Sequence, residues 1–310
     1  MKAIQIREFG DVNAIRLADV DKPDRPAGQL LVQVAFSAIN PSDWKLTTGH
    51  LQAFVPVDLP LVLGNEIAGI VVGCPDGDGE FKVGDRVHGI TSQYHGHAEY
   101  ALLDPASATK VPDSMPLDVA AALPMGAVTA GEILDKAGLG GGTRLLVQGA
   151  SGAVGRAAVQ IGKALGATVT AVTSQSGSAF VASLPADNTV LREEAYEAGI
   201  GLFDVVLDCA GPEALRRSWG LVRPGGQLIS ITAHPDQSLA ATHGISARFD
   251  FGVPATRHLD RVNAMWSRGD FQPKSIRIVP FEAAAEAIWQ VGTGQAPDKV
   301  LLAVANPPAH

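Results

Sequence analysis

A strand, a glycine turn and a helix follow one another without a break between residues 143 and 166. The apolar run Leu145–Val147 predicts the strand, the turn holds Gly149, Gly152 and Gly155, and a small-residue amphipathic segment predicts the helix. A turn of this kind lets backbone N–H groups and the positive end of a helix face a phosphate with no side chain between them. The segment therefore predicts a dinucleotide-binding site, with hydride transfer as the leading reaction class.

The context of this turn matters, because its spacing is G-x-x-G-x-x-G rather than the usual G-x-G-x-x-G. A second strand follows at once, and strands and helices continue to alternate. Six strands that alternate with helices predict a doubly wound parallel sheet of the α/β class. The predicted strands are residues 143–149, 167–174, 188–191, 203–209, 226–232 and 247–251.

Both ends of the chain have a different pattern. Short apolar runs such as Leu30–Phe36 and Ile67–Val72 are bounded by Gly, Pro and Asp, which predicts the strands of a partly closed β-barrel. We therefore predict that residues 1–116 and 275–310 form a barrel-type catalytic domain. A dinucleotide-binding domain, residues 117–274, would be inserted into it.

Composition excludes several classes of protein. Hydrophobic residues make up 46% of the 310-residue chain, which is enough for a sizeable core, yet no run approaches the roughly 18 uninterrupted apolar residues of a membrane span. A net charge of −8 without a Lys/Arg cluster argues against nucleic acid as a partner. The first residues lack the apolar core of a signal peptide, and Cys74 and Cys209 give no disulfide framework. We expect a cytoplasmic protein with a small-molecule substrate and no membrane partner.

A set of short motifs runs in a fixed order along nearly the whole chain: Ala38–Lys45, Leu63–Gly69, Val83–Val87, His97–Tyr100, Ala121–Pro124, Gly149–Gly155, Asp204–Gly211, Arg223–Gly226 and Lys299–Leu302. Together they resemble the medium-chain dehydrogenase/reductase superfamily and, within it, the zinc-free quinone oxidoreductase group. The resemblance implies a Rossmann domain inserted in a GroES-like β-barrel domain, a homodimer, and an NADPH-dependent reductase of quinones or α,β-unsaturated carbonyls. A catalytically silent NADPH-binding structural or regulatory protein is the alternative.

The resemblance also bears on metal binding. The zinc branch of the superfamily has metal ligands at the positions that match Asn40, Asn65 and Met125, and Asn and Met are poor zinc ligands. His95 and His97 are either a metal pair or, as we favour, loop histidines. We predict that there is no catalytic or structural zinc, so that no Lewis acid polarises a simple alcohol and a conjugated acceptor is the expected substrate.

By resemblance, the cofactor contacts fall into two groups. The backbone from Ala150 to Val154 would offer amides to the pyrophosphate, and residues near the strand ends and the segment Phe249–Val253 would hold the nicotinamide and its ribose. Lys299 either meets the cofactor or is a surface residue before a strand. The predicted set is Asn40, Thr129, Gly149, Ala150, Ser151, Gly152, Ala153, Val154, Cys209, Ile231, Thr232, Ala233, Phe251 and Lys299.

The second strand of the predicted sheet ends without the carboxylate that usually accepts from the ribose of NAD. Ser174 and Ser176 can instead donate hydrogen bonds to a 2′-phosphate. Arg192 would either add charge to that contact or be an exposed arginine at a helix start. We therefore predict NADPH rather than NADH as the cofactor.

Three residues are the predicted catalytic set. Asn40 would hydrogen-bond the substrate carbonyl or the nicotinamide, and Tyr94 or His95 would donate a proton. Trp44 is either a side chain that stacks on a quinone or plain core. The catalytic candidates are therefore Asn40, Trp44 and Tyr94.

Overall fold

The structure of the chain, a computed structural model, describes residues 1–75, 79–91, 94–252 and 255–304. It consists of two compact units. The barrel unit comprises Met1–Pro124, Pro254–Arg268 and Pro273–His310, and the nucleotide-binding unit comprises Met125–Val253 and Gly269–Gln272.

Strands and helices are numbered here along the described chain. The strands are β1 Lys2–Ile6, β2 Ile15–Asp19, β3 Leu30–Ala38, β4 Leu61–Val62, β5 Glu66–Gly73, β6 Arg86–Ile90, β7 Tyr100–Leu103, β8 Ala108–Lys110, β9 Arg144–Gln148, β10 Thr168–Thr173, β11 Asn188–Leu191, β12 Phe203–Asp208, β13 Val222–Ser230, β14 Ser246–Phe249, β15 Ile276–Pro280 and β16 Lys299–Ala303. The α-helices are α1 Pro41–Thr47, α2 Leu117–Ala121, α3 Pro124–Lys136, α4 Ala153–Ala164, α5 Ser178–Val181, α6 Pro212–Ser218, α7 Gln237–His243, α8 Thr256–Ser267 and α9 Ala284–Gly292.

The nucleotide-binding unit is built on a six-stranded sheet with the order β11-β10-β9-β12-β13-β14, in which every neighbouring pair is parallel. The chain winds outward from β9 in one direction and then from β12 in the other. This confirms the predicted doubly wound fold. The order reverses between β9 and β12, and a ligand of such a sheet binds at the carboxyl ends of the strands there.

The barrel unit has a seven-stranded sheet. Six of its strands have the order β15-β16-β3-β5-β6-β8, and the seventh strand, β7, pairs with β3. A smaller sheet has the order β2-β1-β4. The strand β16 pairs antiparallel with β3, so that Leu301 lies opposite Ala38. This pairing brings the end of the chain beside the start of α1, where the polar cluster described below lies.

The compact units differ from the predicted division in two helices that pack on barrel strands. Helix α2 packs on β3, β5 and β6, and α8 packs on β8. Asn263 of α8 donates a hydrogen bond from Nδ2 to Lys110 O at 3.0 Å. Sequence pattern assigned both helices to the nucleotide-binding domain because it detects the change from strands to helices, not the surface that each helix covers.

Candidate active site

The glycine turn of the nucleotide-binding unit is tightly packed on one side and open on the other. Gly149 has a φ of +78°, in the left-handed region that favours glycine. A Cβ atom on Gly155 would lie 2.2 Å from Gly149 O, so the helix can approach the turn only with glycine there. At Gly152, the N-cap of α4, the nearest atom to an added Cβ is Gly149 O at 3.4 Å. The space in front of α4 therefore fits a diphosphate group.

The amides of this turn are not equivalent. The N–H of Ala150 donates to Val172 O at 2.9 Å, and the N–H of Gly152 donates to the carbonyl of the first glycine at 3.0 Å. The N–H groups of Ala153 and Val154 lie in the first turn of α4, where helix geometry supplies no carbonyl acceptor. Ala153 and Val154 thus fit the predicted pyrophosphate contact, whereas the amide of Ala150 is already used within the sheet.

The turn after β10 lies directly beside the glycine turn. Ser174 accepts a hydrogen bond from the N–H of Gly177 at 3.3 Å, and its hydroxyl is 3.0 Å from that of Ser176. A Cβ atom on Gly177 would lie 2.8 Å from Ser151 Cβ. Ser151, Ser174 and Ser176 therefore belong to one continuous edge at the carboxyl ends of β9 and β10.

Arg192 reaches the same edge from β11. Its N–H donates to Thr173 O at 2.8 Å, and its exposed side chain donates from Nε to Glu193 Oε1 at 3.1 Å. It lies in a turn, so the interpretation as a helix-starting arginine is wrong. Glu193 Oε2 accepts from the N–H of Gln175 at 3.2 Å. The turn after β10 itself contains no carboxylate, as the sequence indicated, but the turn after β11 brings Glu193 to the same edge.

Asp208 organises the ends of β12 and β13. This buried carboxylate accepts hydrogen bonds from the hydroxyls of Ser230 and Thr232, both at 2.7 Å, and from the N–H of Ala210 at 2.9 Å. Burial raises the pKa of the neighbouring Cys209 thiol well above its ordinary value, and the charge of Asp208 adds to this rise. Cys209 is consequently a protonated thiol rather than a nucleophile.

The segment after β13, residues 231–233, is held by hydrogen bonds to Asp208 and Ser230 of the same unit. The N–H of Ile231 donates to Asp208 O at 3.0 Å, and those of Thr232 and Ala233 donate to Ser230 Oγ at 3.1 and 3.2 Å. These three predicted residues lie at the carboxyl edge of the sheet. Their carbonyl groups and side chains, rather than these amides, are left to contact a ligand.

Thr129 lies on α3 and Phe251 follows β14, both in the nucleotide-binding unit. Thr129 is buried on α3, and a Cβ atom on Gly252 would lie 3.0 Å from its Cα. Phe251 is 66% exposed and lies 5.9 Å from the ring of Phe249. The structure thus brings Thr129 to the segment predicted with it, of which Val253 lies outside the described residues.

The barrel unit contains a buried polar cluster around Lys299. The Lys299 ammonium donates to Glu66 Oε2 at 2.7 Å and to Asn40 Oδ1 at 2.8 Å, and it lies 3.4 Å from Ile39 O. Asn40 in turn donates from Nδ2 to Glu66 Oε2 at 2.9 Å and to Ala38 O at 3.3 Å. Lys299 is 6% exposed, so its interpretation as a surface residue is wrong.

This geometry bears on the predicted role of Asn40. Its amide nitrogen has two N–H groups, which match the two acceptors Glu66 and Ala38, and its oxygen accepts from Lys299. The side chain is also 5% exposed. The hydrogen bonds that were predicted to hold a substrate oxygen are already made inside the barrel unit.

A second buried group adjoins this cluster and has the order serine, histidine, aspartate. Ser37 Oγ lies 2.7 Å from His97 Nδ1, and His97 Nε2 lies 3.6 Å from Asp43 Oδ2. All three side chains have no exposed surface. A nucleophilic serine needs access to its substrate, so this arrangement is structural and does not indicate a hydrolase. His97 is accordingly a core histidine, whereas His95 is exposed.

Asp43 fixes the backbone around the cluster. It accepts from the N–H of Asn40 at 2.7 Å, which caps α1, and from the N–H of Gly64 at 3.1 Å. Gly64 has a φ of +85°, and a Cβ atom there would lie 2.3 Å from His97 Nδ1. Helix α1 and the loop before β5 are therefore locked together by one carboxylate.

Tyr94 is the predicted catalytic residue with the most unusual backbone. Tyr94 and His95 have φ values of 63° and 66°, in a region that non-glycine residues rarely adopt and that is often associated with functional sites. The Tyr94 side chain is half-buried against the apolar cluster of the barrel unit. Burial, and then the nearby charge of Asp43, raise the pKa of its phenol. The hydroxyl is thus protonated at neutral pH and able to donate.

Trp44 lies on α1 and packs against α9 in the barrel unit. Its ring stacks on His50 at 5.2 Å and meets Trp289 of α9 edge-on at 6.2 Å. A Cβ atom on Gly292 would lie 2.0 Å from Trp44 Cγ. Of the two interpretations that the sequence left open, this packing favours the core residue.

The positions that match zinc ligands hold Asn40, Asn65 and Met125. Asn65 lies between Gly64 and Glu66, and its Oδ1 atom is buried without a hydrogen-bond partner among the described residues. Within those same residues, there is no group of three or more His, Cys, Asp or Glu side chains with a metal-binding arrangement. The absence of zinc remains a prediction that rests on the chemistry of these donors.

In each unit, sequence reasoning missed the carboxylate that pairs with the predicted site residues, Glu66 in the barrel unit and Glu193 in the nucleotide-binding unit. Glu66 lies within one of the family motifs and was not predicted as a site residue. A carboxylate at the head of the apolar run Ile67–Val72 nevertheless signals a buried charge that needs a partner. Glu193 carried no such signal. Only the pairing of β10 with β11 places it beside the turn that contains Gln175.

The comparison with known proteins first defines the class of protein to which this chain belongs. Residues 26–113 match the alcohol dehydrogenase GroES-like domain family, and residues 153–260 match the zinc-binding dehydrogenase family. A solved quinone oxidoreductase from Coxiella burnetii superposes with a TM-score of 0.88 at 24% identity, covering 98% of this chain and 99% of that one. At that identity the likeness shows the fold alone, an inserted Rossmann domain in a GroES-like protein.

Two curated relatives narrow the class. A 2-methylene-furan-3-one reductase from Solanum lycopersicum is 30% identical over 317 residues, covering 97% of this chain and 79% of that protein. A trans-enoyl reductase from Aspergillus japonicus is 29% identical over 317 residues, covering 90% of each. The chain therefore belongs to the medium-chain dehydrogenase/reductase superfamily, and within it to the quinone oxidoreductase group.

Membership places the chain among oxidoreductases that bind a nicotinamide cofactor. The open turn in front of α4 fits such a dinucleotide, because it offers backbone amides without a side chain between. Among the described residues, no helix combines the length and apolar character that crossing a membrane requires.

Proposed function

We propose that this protein is an NADPH-dependent reductase that transfers a hydride to a quinone or an α,β-unsaturated carbonyl without a metal ion. Relatives at comparable identity are a 2-methylene-furan-3-one reductase and a trans-enoyl reductase, which both act on conjugated carbonyls by name. The observation that carries the proposal is the Lys299 ammonium. It donates hydrogen bonds to the side-chain oxygens of Asn40 and Glu66, and Asn40 stands at one of the positions that match zinc ligands in the metal-dependent branch.

Different residues of the chain would bind the cofactor and stabilise the reacting substrate. The amides of Ala153 and Val154 would bind the diphosphate, and Ser174 and Ser176 would donate hydrogen bonds to the 2′-phosphate. A nicotinamide held by these residues would supply the hydride. A conjugated acceptor then spreads the incoming charge over an enolate or a quinol oxygen, which needs a hydrogen-bond donor rather than a Lewis acid.

Tyr94 is the side chain of the barrel unit that we propose as that donor. Its phenol is protonated at neutral pH and can donate a hydrogen bond, and its side chain is only half-buried. Asn40 and Lys299 are less suited, since their polar atoms already pair with each other and with Glu66. The fully paired cluster of Lys299, Asn40 and Glu66 also supports a second candidate function, a catalytically silent NADPH-binding protein.

One experiment separates the two candidates. NADPH consumption is followed with a panel of quinones, enones and simple alcohols, beside a direct measurement of NADPH binding. We expect turnover with conjugated acceptors only, and for Tyr94→Phe a loss in kcat of about 10²-fold or more with little change in NADPH affinity. Tight NADPH binding with no turnover across the panel would make the protein a silent binder, and efficient oxidation of a plain alcohol would contradict the metal-free site.

The remaining proposals concern the oligomeric state of the protein, its location in the cell and its domain division. We propose a homodimer, which sedimentation equilibrium tests, and a cytoplasmic location, which fractionation tests. The domain division is proposed to follow the two compact units rather than residues 117 and 274, because α2 and α8 cover barrel strands.

A further inference from the structure

The turn after β11 is held firmly against the turn after β10. Arg192 N donates to Thr173 O at 2.8 Å, which extends the pairing of the two strands by one residue. Arg217 of α6 donates from Nη2 to Glu194 O at 2.6 Å and also bonds the carbonyl of Arg192. The Arg217 guanidinium lies over the Tyr196 ring at 4.2 Å. The backbone that carries Glu193 is therefore fixed by tertiary contacts.

The Glu193 carboxylate bridges the two donors at this edge. One oxygen accepts from Arg192 Nε at 3.1 Å, and the other accepts from the N–H of Gln175 at 3.2 Å. The hydroxyls of Ser174 and Ser176 lie in the same turn and bond each other. A carboxylate of the chain itself thus occupies the place where the proposed function puts an external anion.

We propose that Glu193 sets the balance between the phosphorylated and unphosphorylated dinucleotide, an inference that rests on the proposed function. Its negative charge repels a 2′-phosphate, and its oxygens engage the amide of Gln175 and the guanidinium of Arg192 that such a phosphate would need. A 2′-hydroxyl carries no charge and can donate a hydrogen bond to the same carboxylate. Glu193 therefore limits the preference for NADPH that Ser174, Ser176 and Arg192 create.

The neighbouring Glu194 provides a matched control. It carries the same charge one residue away, and Arg217 contacts only its backbone carbonyl in the hydrogen bonds described above. Glu193→Gln and Glu194→Gln remove one charge each from the same turn. Only the first removes the carboxylate that holds Gln175 and Arg192.

The test measures the dissociation constants of NADPH and NADH for the native protein, Glu193→Gln and Glu194→Gln by calorimetry. We expect Glu193→Gln to bind NADPH about five- to tenfold more tightly, with NADH unchanged or weaker, because one like charge near the phosphate is lost. The gain in NADPH affinity should shrink at high salt, because the side chains of Arg192 and Glu193 are exposed and salt screens exposed charges. In the double variant Glu193→Gln/Arg192→Met the gain should disappear.

Two outcomes would overturn the inference and are distinguishable. If Glu193→Gln and Glu194→Gln change the ratio of NADPH to NADH affinity equally, Glu193 has no special role, while the proposed function stands. If none of the three proteins binds either dinucleotide, the proposed function itself fails and the inference fails with it.

Discussion

The two units of this protein build their functional groups in opposite ways. The nucleotide-binding unit offers backbone N–H groups at a glycine turn, with open space in front of Gly152. The barrel unit instead buries charged side chains, and Lys299, Glu66 and Asn40 satisfy one another there. The amides of Ala153 and Val154 lie in the first turn of α4 and have no carbonyl acceptor within the helix, so they remain available to bind. A side-chain cluster that is fully paired supports the architecture and leaves fewer donors for chemistry.

The largest effect that would test this comparison is at Lys299. Lys299→Met leaves the Glu66 carboxylate buried without its cation, and we expect the free energy of unfolding to fall by about 3–5 kcal/mol. Urea unfolding at neutral pH measures this. Lys110→Met is the matched control, because its ion pair with Asp85 is partly exposed and contributes less than about 1 kcal/mol.

A companion variant identifies the cause. In Lys299→Met/Glu66→Gln the uncompensated charge is removed, so part of the lost stability should return. If Lys299→Met is no more destabilising than Lys110→Met, the cluster is not a structural element and the contrast between the units disappears.

The next effect concerns the other side of the comparison. Gly152→Val places a branched side chain where the diphosphate approaches, and we expect NADPH affinity to fall by at least about 100-fold, or roughly 3 kcal/mol. The fold should persist, since the added Cβ is 3.4 Å from its nearest neighbour. Gly140→Val, in open space before β9, is the control and should bind normally. Unchanged NADPH affinity in Gly152→Val would refute the phosphate-binding assignment.

The smallest expected effect sharpens the role of Asn40. Asn40→Ala removes the amide that joins Lys299 to Glu66, and we expect a loss of about 1–3 kcal/mol in the free energy of unfolding. Asn263→Ala in α8, another buried asparagine of the barrel unit, is the control for general destabilisation. Turnover and unfolding are measured on both variants.

The two measurements give distinct results for Asn40. If the residue is structural, the stability of Asn40→Ala falls and kcat follows the folded fraction. A kcat that drops by orders of magnitude in a protein as stable as the native one would restore the catalytic role that the sequence predicted.

The nucleotide-binding unit shows how far sequence alone can go. The predicted strand at residues 188–191 is observed as Asn188–Leu191, and the strand predicted at 226–232 is observed as Val222–Ser230. Hydrophobic runs, glycines and strand-to-helix order are properties of neighbouring residues, so the sequence displays them directly. The placement of Ser174 and Cys209 at one sheet edge follows from the same order, because parallel strands end on one side.

Other features needed the tertiary structure. The sequence and its family resemblance left Lys299 either at the surface or at the cofactor, but the pairing of β16 with β3 buries it beside Asn40 and Glu66. In the same way, the pairing of β10 with β11 brings Glu193 to the turn at Gln175.

The sequence by itself determined the family, the doubly wound sheet and the glycine turn, because these depend on local pattern and backbone conformation. The tertiary structure decided which polar side chains are already paired and which charge lies at the nucleotide edge. Hydrogen bonds and ion pairs between residues hundreds of positions apart depend on distances in space, and those distances exist only once the strands have paired.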